Sequence, residues 1–183
     1  MPHFDWYAVQ VMSGQERKMI QFIETACAED DEESADLQEP LVLDECFAPR
    51  YRTQKKMYGE WRNVERALMP GYLIAAVNDP VQLAQRLRRV NDFCRVVKSG
   101  QTYVPLNAYE RTWLEAHTSR GDRVVPMSFG RKVGDTLEVT QGPLKGYEGR
   151  ITKVKRSDSL ALLEFHVGSI RIKTTVGLGI LPE

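Results

Sequence analysis

Cationic side chains near the C-terminal end stand at spacings that suit an RNA backbone. Lys153 and Lys155 flank one apolar residue, and Arg171 and Lys173 flank another. If both segments are strands, the two members of each pair point to one face of a sheet. Two such pairs favour a basic patch that binds phosphates or a groove of RNA. Ordinary surface charge is the alternative interpretation. The candidate RNA-binding residues are Lys145, Lys153, Lys155, Arg156, Arg171 and Lys173.

A second group of cations lies between residues 50 and 66. The polar sequence Tyr58-Gly59-Glu60 sits at its centre. A glycine in a polar turn between extended segments predicts a protruding hairpin. Cations on such a hairpin would give affinity for phosphates without sequence preference, and a solvated basic hairpin is the alternative. The residues in question are Arg50, Arg52, Lys55, Lys56 and Arg62.

Catalytic, metal and cofactor chemistry find no support in the sequence. There is no nucleophile elbow, paired-acid motif or phosphate-binding loop. Gly177-Leu178-Gly179 lies in the last predicted strand and not at a strand-to-helix turn, so it is no dinucleotide site. The three cysteines form no CxxC pair, and the three histidines are far apart. We therefore expect a non-enzyme without a metal or a cofactor, and with cysteines that serve as small buried apolar residues.

The charge balance is even, but its distribution is not. The chain has 183 residues, with 25 Lys+Arg and 25 Asp+Glu, so net charge argues neither for nor against nucleic acid. Residues 131–183 carry a net charge of +3, and residues 29–39 form an acidic stretch that we expect to be a mobile loop. No apolar run reaches membrane-helix length, and the first residues do not resemble a signal peptide. We therefore expect a cytoplasmic protein, and separately we expect it to be a monomer.

The first two thirds of the chain alternate strand and helix signals. WYAVQVM at residues 6–12 is typical of a strand, and YLIAAV at 72–77 of a central strand buried on both faces. Ser13 and Glu16 match a capping box, as do Asn107 and Glu110. Asp79 followed by proline predicts another helix start. Residues 1–118 are thus predicted to be an α+β sandwich, an antiparallel sheet covered by helices.

The remaining residues have a different texture. Residues 119–129 are polar and aperiodic, and we interpret them as a linker. Residues 130–183 contain short β-rich segments separated by glycine turns, which predict a small five-stranded β-barrel similar to SH3 domains. The predicted strands are DTLEVT, GRITKVK, LALLEFHV, SIRIKTTV and LGIL.

One segment of this barrel has a recognisable pattern. Residues 133–151 (VGDTLEVTQGPLKGYEGRI) enter a loop with glycines at 142 and 146, and Gly149 follows in the next predicted strand. Leu144 and Tyr147 would be displayed near the loop tip. The segment resembles a KOW motif. Independently, Trp6-Tyr7-Ala8-Val9-Gln10-Val11 and Met69-Pro70-Gly71-Tyr72 resemble the NGN domain of the NusG transcription factors, and the order of both motifs matches that family.

This resemblance implies docking on RNA polymerase. In the family, the NGN domain docks on the clamp helices of the largest polymerase subunit. Of Trp6 and Tyr7, we expect one side chain to face in and the other out. Met69 and Tyr72 are expected to form an exposed apolar patch. The basic hairpin would contact upstream DNA or the polymerase. The implied polymerase-binding residues are Trp6, Tyr7, Met69, Pro70, Gly71 and Tyr72.

The partner of the KOW domain is the open question. Lys145 and Lys155-Arg156 resemble the specialised LoaP paralogues, which are antiterminators whose KOW domain recognises an RNA hairpin. This similarity implies a processive antiterminator that binds a nascent RNA hairpin. A general NusG protein that couples to NusE or Rho is the first alternative, and a ribosome-associated KOW protein acting in translation is the second.

Overall fold

The computed structural model describes residues 3–29 and 39–182, which divide into two compact units. Unit 1 comprises the described residues within 1–48, 70–107 and 167–170, and unit 2 those within 49–69, 108–166 and 171–183. Most of the predicted acidic loop lies outside the described residues. The helices are α1 (Glu16–Ala28), α2 (Pro80–Leu87) and α3 (Ala108–His117). The strands are β1 (Asp5–Val11), β2 (Leu43–Phe47), β3 (Arg50–Met57), β4 (Glu60–Ala67), β5 (Tyr72–Val77), β6 (Cys94–Val96), β7 (Lys98–Ser99), β8 (Thr102–Tyr103), β9 (Val124–Val125), β10 (Ser128–Val133), β11 (Thr136–Gln141), β12 (Lys153–Lys155), β13 (Leu160–Val167) and β14 (Ile170–Ile180).

Unit 1 is built on a four-stranded antiparallel sheet in the order β2-β5-β1-β6. The apolar run of β5 lies between β1 and β2, and its residues from Leu73 to Val77 are all buried, which confirms the predicted central strand. Helices α1 and α2 contribute Met19, Ile23, Leu83 and Leu87 to the apolar core against one face of this sheet. Burial of this apolar area stabilises the unit.

Helix α1 begins later than the predicted capping box requires. Its N-cap is Gln15, and no side chain caps it, so the assignment of Ser13 as N-cap is wrong. Gly14 has φ +88°, a conformation that turns the chain before the helix starts. The Glu16 carboxylate instead accepts a hydrogen bond from the backbone N–H of Gly71 (2.9 Å), which ties the start of α1 to the entry of β5.

Helix α2 begins as predicted. The Asp79 carboxylate accepts hydrogen bonds from the backbone N–H groups of Val81 (2.8 Å) and Gln82 (3.1 Å), and Pro80 follows it. Burial raises the pKa of Asp79, but the hydrogen bonds from Gln82 and Val81 outweigh it, so the net pKa is lowered. The cap therefore stays ionised and satisfies two of the unpaired donors of the first turn.

The three thiols also lie in unit 1, where Cys46 is buried and Cys27 and Cys94 are half-buried. Burial raises the pKa of Cys27 to about 11 and that of Cys94 to about 12, and it raises the pKa of Cys46 as well. All three stay protonated at neutral pH and behave as small apolar groups. In the described ranges, no cluster of three or more His, Cys, Asp or Glu residues is placed to hold a metal ion.

Unit 2 contains the predicted hairpin. Strands β3 and β4 pair over their whole length around a two-residue turn at Tyr58 and Gly59, both with positive φ. Positive φ at both central residues is the geometry that suits a tight hairpin. Strand β9 pairs in parallel with the start of β3, so part of the predicted linker 119–129 is a strand.

The second sheet of unit 2 has five strands in the order β11-β10-β14-β13-β12. The number of strands agrees with the prediction, but their bounds differ. Two predicted strands merge into the single β14, and β10 was not predicted over Ser128–Val133. Residues 148–150 form a 3-10 helix, where a strand around Gly149 was expected. The α+β fold with a small β unit is confirmed, whereas the domain bounds 1–118, 119–129 and 130–183 stay a prediction.

Helix α3 belongs to unit 2, where Trp113 is its anchor. The indole N–H donates to the carbonyl of Pro143 (2.9 Å), and the ring packs edge-on against Phe165 with centroids 5.7 Å apart. Glu110 is buried on the same helix and pairs with Arg150 at 2.6 Å, with the His166 ring 3.6 Å away. The second predicted capping box thus places Glu110 near the start of a helix. The carboxylate of Glu110, however, pairs with the side chain of Arg150.

Candidate nucleic-acid interface

Three exposed cations of unit 2 lie close together in sequence at one edge of the five-stranded sheet. Strand β12 is an edge strand, and Lys153 and Lys155 are exposed on it on either side of the half-buried Val154. Arg156 follows at once in a short 3-10 helix that ends at Ser159, whose φ is +53°. Within residues 3–29 and 39–182 these three cations have no hydrogen-bonded or ionic partner, so their charge is available to an anion.

The other predicted RNA-binding residues differ in position. Arg171 and Lys173 are exposed on β14 on either side of the buried Ile172. Strands β12 and β14 are the two neighbours of β13, which places them about 10 Å apart. Both same-face pairs predicted from the alternation therefore exist.

Lys145 lies on neither of these strands but in the loop after β11, within the KOW-like segment. Hydrogen bonds from the backbone N–H groups of Glu148, Gly146 and Val139, with the charge of Lys145, hold the pKa of Glu148 below its ordinary value, although burial opposes them. The positive charge of Lys145 thus stands beside an ionised carboxylate. Its pull on a phosphate is weaker than that of an unpaired cation.

The loop itself is held by a close backbone approach. Gly142 and Gly146 both have positive φ, as predicted, and a Cβ on Gly142 would meet the Cα of Ser128 at 2.6 Å. Ser128 accepts a hydrogen bond from the backbone N–H of Leu144 (3.0 Å). Leu144 is buried and Tyr147 is half-buried against Trp113. The expectation that both are displayed at the loop tip is therefore wrong, because they pack inward.

The hairpin divides its cations into paired and unpaired ones. Hydrogen bonding from Arg52 and the charges of Arg50 and Arg52 lower the pKa of Glu65, which accepts from both arginines at 2.9 and 2.7 Å. Arg62 lies 3.5 Å from Glu60. Of the five cations on the predicted hairpin, Arg50, Arg52 and Arg62 are thus engaged by carboxylates of the hairpin. Lys55 and Lys56 are exposed and unpaired among the described residues.

The residues predicted to bind polymerase are mostly buried. Trp6 is 4% exposed and Tyr7 is 7% exposed, so the expectation that one of them faces out is wrong. Tyr7 joins the apolar core of unit 1, and Trp6 packs edge-on against Phe47 with centroids 5.1 Å apart. Burial, with the charges of Asp5 and Asp79, raises the pKa of Tyr7. Both faces of this strand are therefore covered.

Met69 and the residues after it differ in accessibility. Met69 is 1% exposed, so the predicted exposure of its side chain is wrong. Gly71 has φ +80°, and its carbonyl accepts from the N–H of Val11 (2.9 Å), which gives it a local structural role. Pro70 is exposed and Tyr72 is half-buried. A charged substitution of Met69 would consequently report on packing, whereas Pro70 and Tyr72 are accessible to a partner.

No helix in the described ranges is both long enough and apolar enough to span a membrane. The family model described as transcription termination factor nusG matches residues 4–114. A search of curated proteins gives no match. Among solved structures, the chain is similar to NusG of Thermotoga maritima, from a structure titled "Domain interaction in Thermotoga maritima NusG". The identity is 18%, the alignment covers 95% of this chain and 93% of that one, and the TM-score is 0.51, a likeness of fold. Because the family model spans more than half of the 183 residues, this chain belongs to the NusG family of transcription factors.

Proposed function

We propose that this NusG-family protein is a processive antiterminator that binds RNA polymerase through its N-terminal part and a structured nascent RNA through the KOW-like part. The observation that carries the proposal is the run of exposed, unpaired cations Lys153, Lys155 and Arg156 at one sheet edge. Three unpaired positive charges this close together favour a polyanion as the partner. An RNA hairpin offers closely spaced phosphates to such a run.

Polymerase docking is assigned to the accessible part of the predicted patch. Pro70 is exposed. Tyr72 lies opposite Gln10 in the β1–β5 register, so the side chains of Tyr72 and Gln10 share a face of the sheet. The clamp helices of the polymerase are the expected partner. Upstream DNA is assigned to Lys55 and Lys56, because the nearby arginines are held by carboxylates. None of these contacts requires catalysis, a metal or a cofactor.

The experiment compares two RNAs and two proteins. The full-length chain is titrated with the leader RNA of its neighbouring operon and with a scrambled hairpin of equal length, between 50 and 200 mM salt. We expect selective binding to the leader RNA. The double variant Lys155→Ala, Arg156→Ala is expected to bind more weakly, with a slope of log K against log salt that is smaller by about 1 to 2, since each phosphate contact contributes about 0.7 to 0.9.

The control is Lys145→Ala, which removes a cation that already stands beside a carboxylate. We expect it to change the slope less than the double variant does. Equally weak binding to both RNAs would contradict the proposal. It would return the protein to the general NusG class, with NusE or Rho as the partner to be tested.

A further inference from the structure

Unit 2 contains an open cleft lined on one side by the hairpin and on the other by β10, the end of β14 and the residues that follow it. Its volume is about 590 Å³. The hairpin supplies one wall and the sheet, with the turn after β12, supplies the other. The residues that matter for its chemistry are Gln54, Trp61, Phe129, Lys132, Arg156 and Pro182.

The hairpin wall presents an exposed aromatic ring. Trp61 is 54% exposed, although an indole is among the largest apolar side chains. It lies directly opposite Lys56 in the hairpin register, and Gln54 is two residues from Lys56. The three side chains therefore share one face of the hairpin. A planar ring flanked by a cation and an amide is thus turned toward the cleft.

The opposite wall carries positive charge. Arg156 and Lys132 are both exposed and line the cleft. Arg156 has no ionic partner among the described residues, and the carboxylate of Asp135 lies 4.0 Å from Lys132, at the limit of an ion pair. Phe129 adds a half-buried ring to the same wall. The cleft therefore combines aromatic surface with charge that attracts an anion.

Buried contacts fix the two walls relative to each other. The Thr53 hydroxyl donates to the carbonyl of Ser159 at 2.8 Å, which joins β3 to the turn that bears Arg156. Farther along, a Cβ on Gly177 would lie 2.2 Å from the carbonyl oxygen of Arg52. The strand of the hairpin thus approaches β14 more closely than any side chain would allow. The cleft is preformed, which lowers the entropic cost of filling it.

We propose that this cleft binds an unpaired nucleotide of the RNA, with its base stacked on the indole of Trp61 and its phosphates facing Arg156 and Lys132. Proteins that bind single strands combine stacking rings with a positively charged groove in this way. A base inside a duplex has both faces covered by its neighbours and offers none to Trp61. The inference rests on the proposed RNA binding and names the part of the RNA that would enter the cleft.

Intrinsic fluorescence gives a direct test, because the protein has three tryptophans and Trp6 and Trp113 are buried. The full-length chain is titrated with a 12-nucleotide oligo(A) RNA, with the same length of oligo(dA), and with a 12-base-pair RNA duplex. We expect the single-stranded RNA to quench the emission of Trp61 and the duplex to leave it unchanged. Equal quenching by the duplex, or tighter binding of oligo(dA) than of oligo(A), would overturn the assignment.

Variants of the same hairpin separate stacking from charge. Affinity for labelled oligo(A) is measured by anisotropy. Trp61→Ala is expected to weaken binding about 5- to 150-fold, because base stacking on one ring contributes about 1 to 3 kcal/mol. Trp61→Phe keeps a ring and should stay within about threefold of the parent. The matched control is Tyr58→Asn at the turn of the hairpin. Tyr58 is 96% exposed and does not line the cleft, and asparagine tolerates its positive φ.

The outcomes for the cleft and for the proposed function differ. If Trp61→Ala binds oligo(A) as tightly as the parent, or Tyr58→Asn loses as much affinity, the cleft is not the nucleotide site. Selective binding of the leader hairpin by both parent and Trp61→Ala would then leave the antiterminator proposal standing. If the parent protein binds neither the leader hairpin nor oligo(A), both proposals fall.

Discussion

Two regions of unit 2 each contain a tryptophan and an arginine, but the two regions differ in whether these side chains are buried and paired. Around α3, Trp113 is buried and donates a hydrogen bond, and Arg150 is paired with the buried Glu110. At the cleft, Trp61 is exposed and Arg156 is unpaired among the described residues. Both arginines sit in short 3-10 helices six residues apart. The comparison shows that the residue type sets which interactions a side chain can make. The surroundings of the side chain decide whether it makes them within the fold or remains accessible to a ligand.

The largest expected effect comes from breaking the buried ion pair. Arg150→Met removes the partner of Glu110, whose side chain is only 2% exposed. An uncompensated buried carboxylate typically costs about 3 to 5 kcal/mol. Equilibrium urea unfolding followed by tryptophan fluorescence should show a clear fall in the midpoint. Arg156→Met is the matched control, and we expect a change within about 0.5 kcal/mol.

A second variant sharpens this test. Glu110→Leu combined with Arg150→Met replaces both charges by apolar groups, and such a replacement is often neutral or stabilising. We expect the double variant to recover most of the stability that Arg150→Met loses. If Arg150→Met and Arg156→Met unfold at the same urea concentration, the pair between Arg150 and Glu110 does not contribute to the stability of the fold.

The close approach that shapes the cleft gives the next effect. Gly177→Ala places a Cβ 2.2 Å from the backbone oxygen of Arg52, so one strand must move. Overpacking of this kind costs about 1 to 3 kcal/mol. Thermal unfolding should show a lower midpoint for this variant. Gly149→Ala is the control, because nothing lies within 4 Å of its added Cβ, and an equal loss in both variants would contradict the close approach.

The smallest expected effect compares the two tryptophans as folding elements. Trp113→Phe loses the hydrogen bond to Pro143 and part of the ring contact with Phe165. We expect a loss of about 1 to 2 kcal/mol in the free energy of unfolding. Trp61→Phe should change it by less than about 0.5 kcal/mol, since the ring is exposed. Urea unfolding measured by circular dichroism avoids the change of fluorophore, and comparable losses would show that Trp61 is a packing residue.

Several features followed from the sequence because their causes are local. The two-residue turn at Tyr58-Gly59 and the cap at Asp79 depend on residues within a few positions of one another. The buried central strand β5 is predicted by its continuous apolar run, and the same-face cation pairs by their alternation. Short-range φ preferences, hydrogen bonds and periodicity suffice for such features.

Other features were missed because they depend on partners distant in the chain. Ser13 looks like a helix cap, but Glu16 is drawn to the N–H of Gly71, which lies 55 residues away. Leu144 looks displayed on a loop, but its N–H donates to Ser128 and its side chain is buried. A stacking role for Trp61 was not predicted from the polar sequence of the hairpin. The signal for it is a large exposed ring beside cations.

The sequence by itself determined the family resemblance, the hairpin, the start of α2, the buried strand β5 and the positions of the candidate cations. Only the tertiary structure decided which of them remain available, because pairing and burial depend on contacts between residues far apart in the chain. Arg150 and Arg156 both lie in short 3-10 helices, yet Glu110, 40 residues away from Arg150, pairs with Arg150. The Met69 side chain is only 1% exposed and so is inaccessible to a partner, whereas Tyr72, three residues later, is half-buried and accessible.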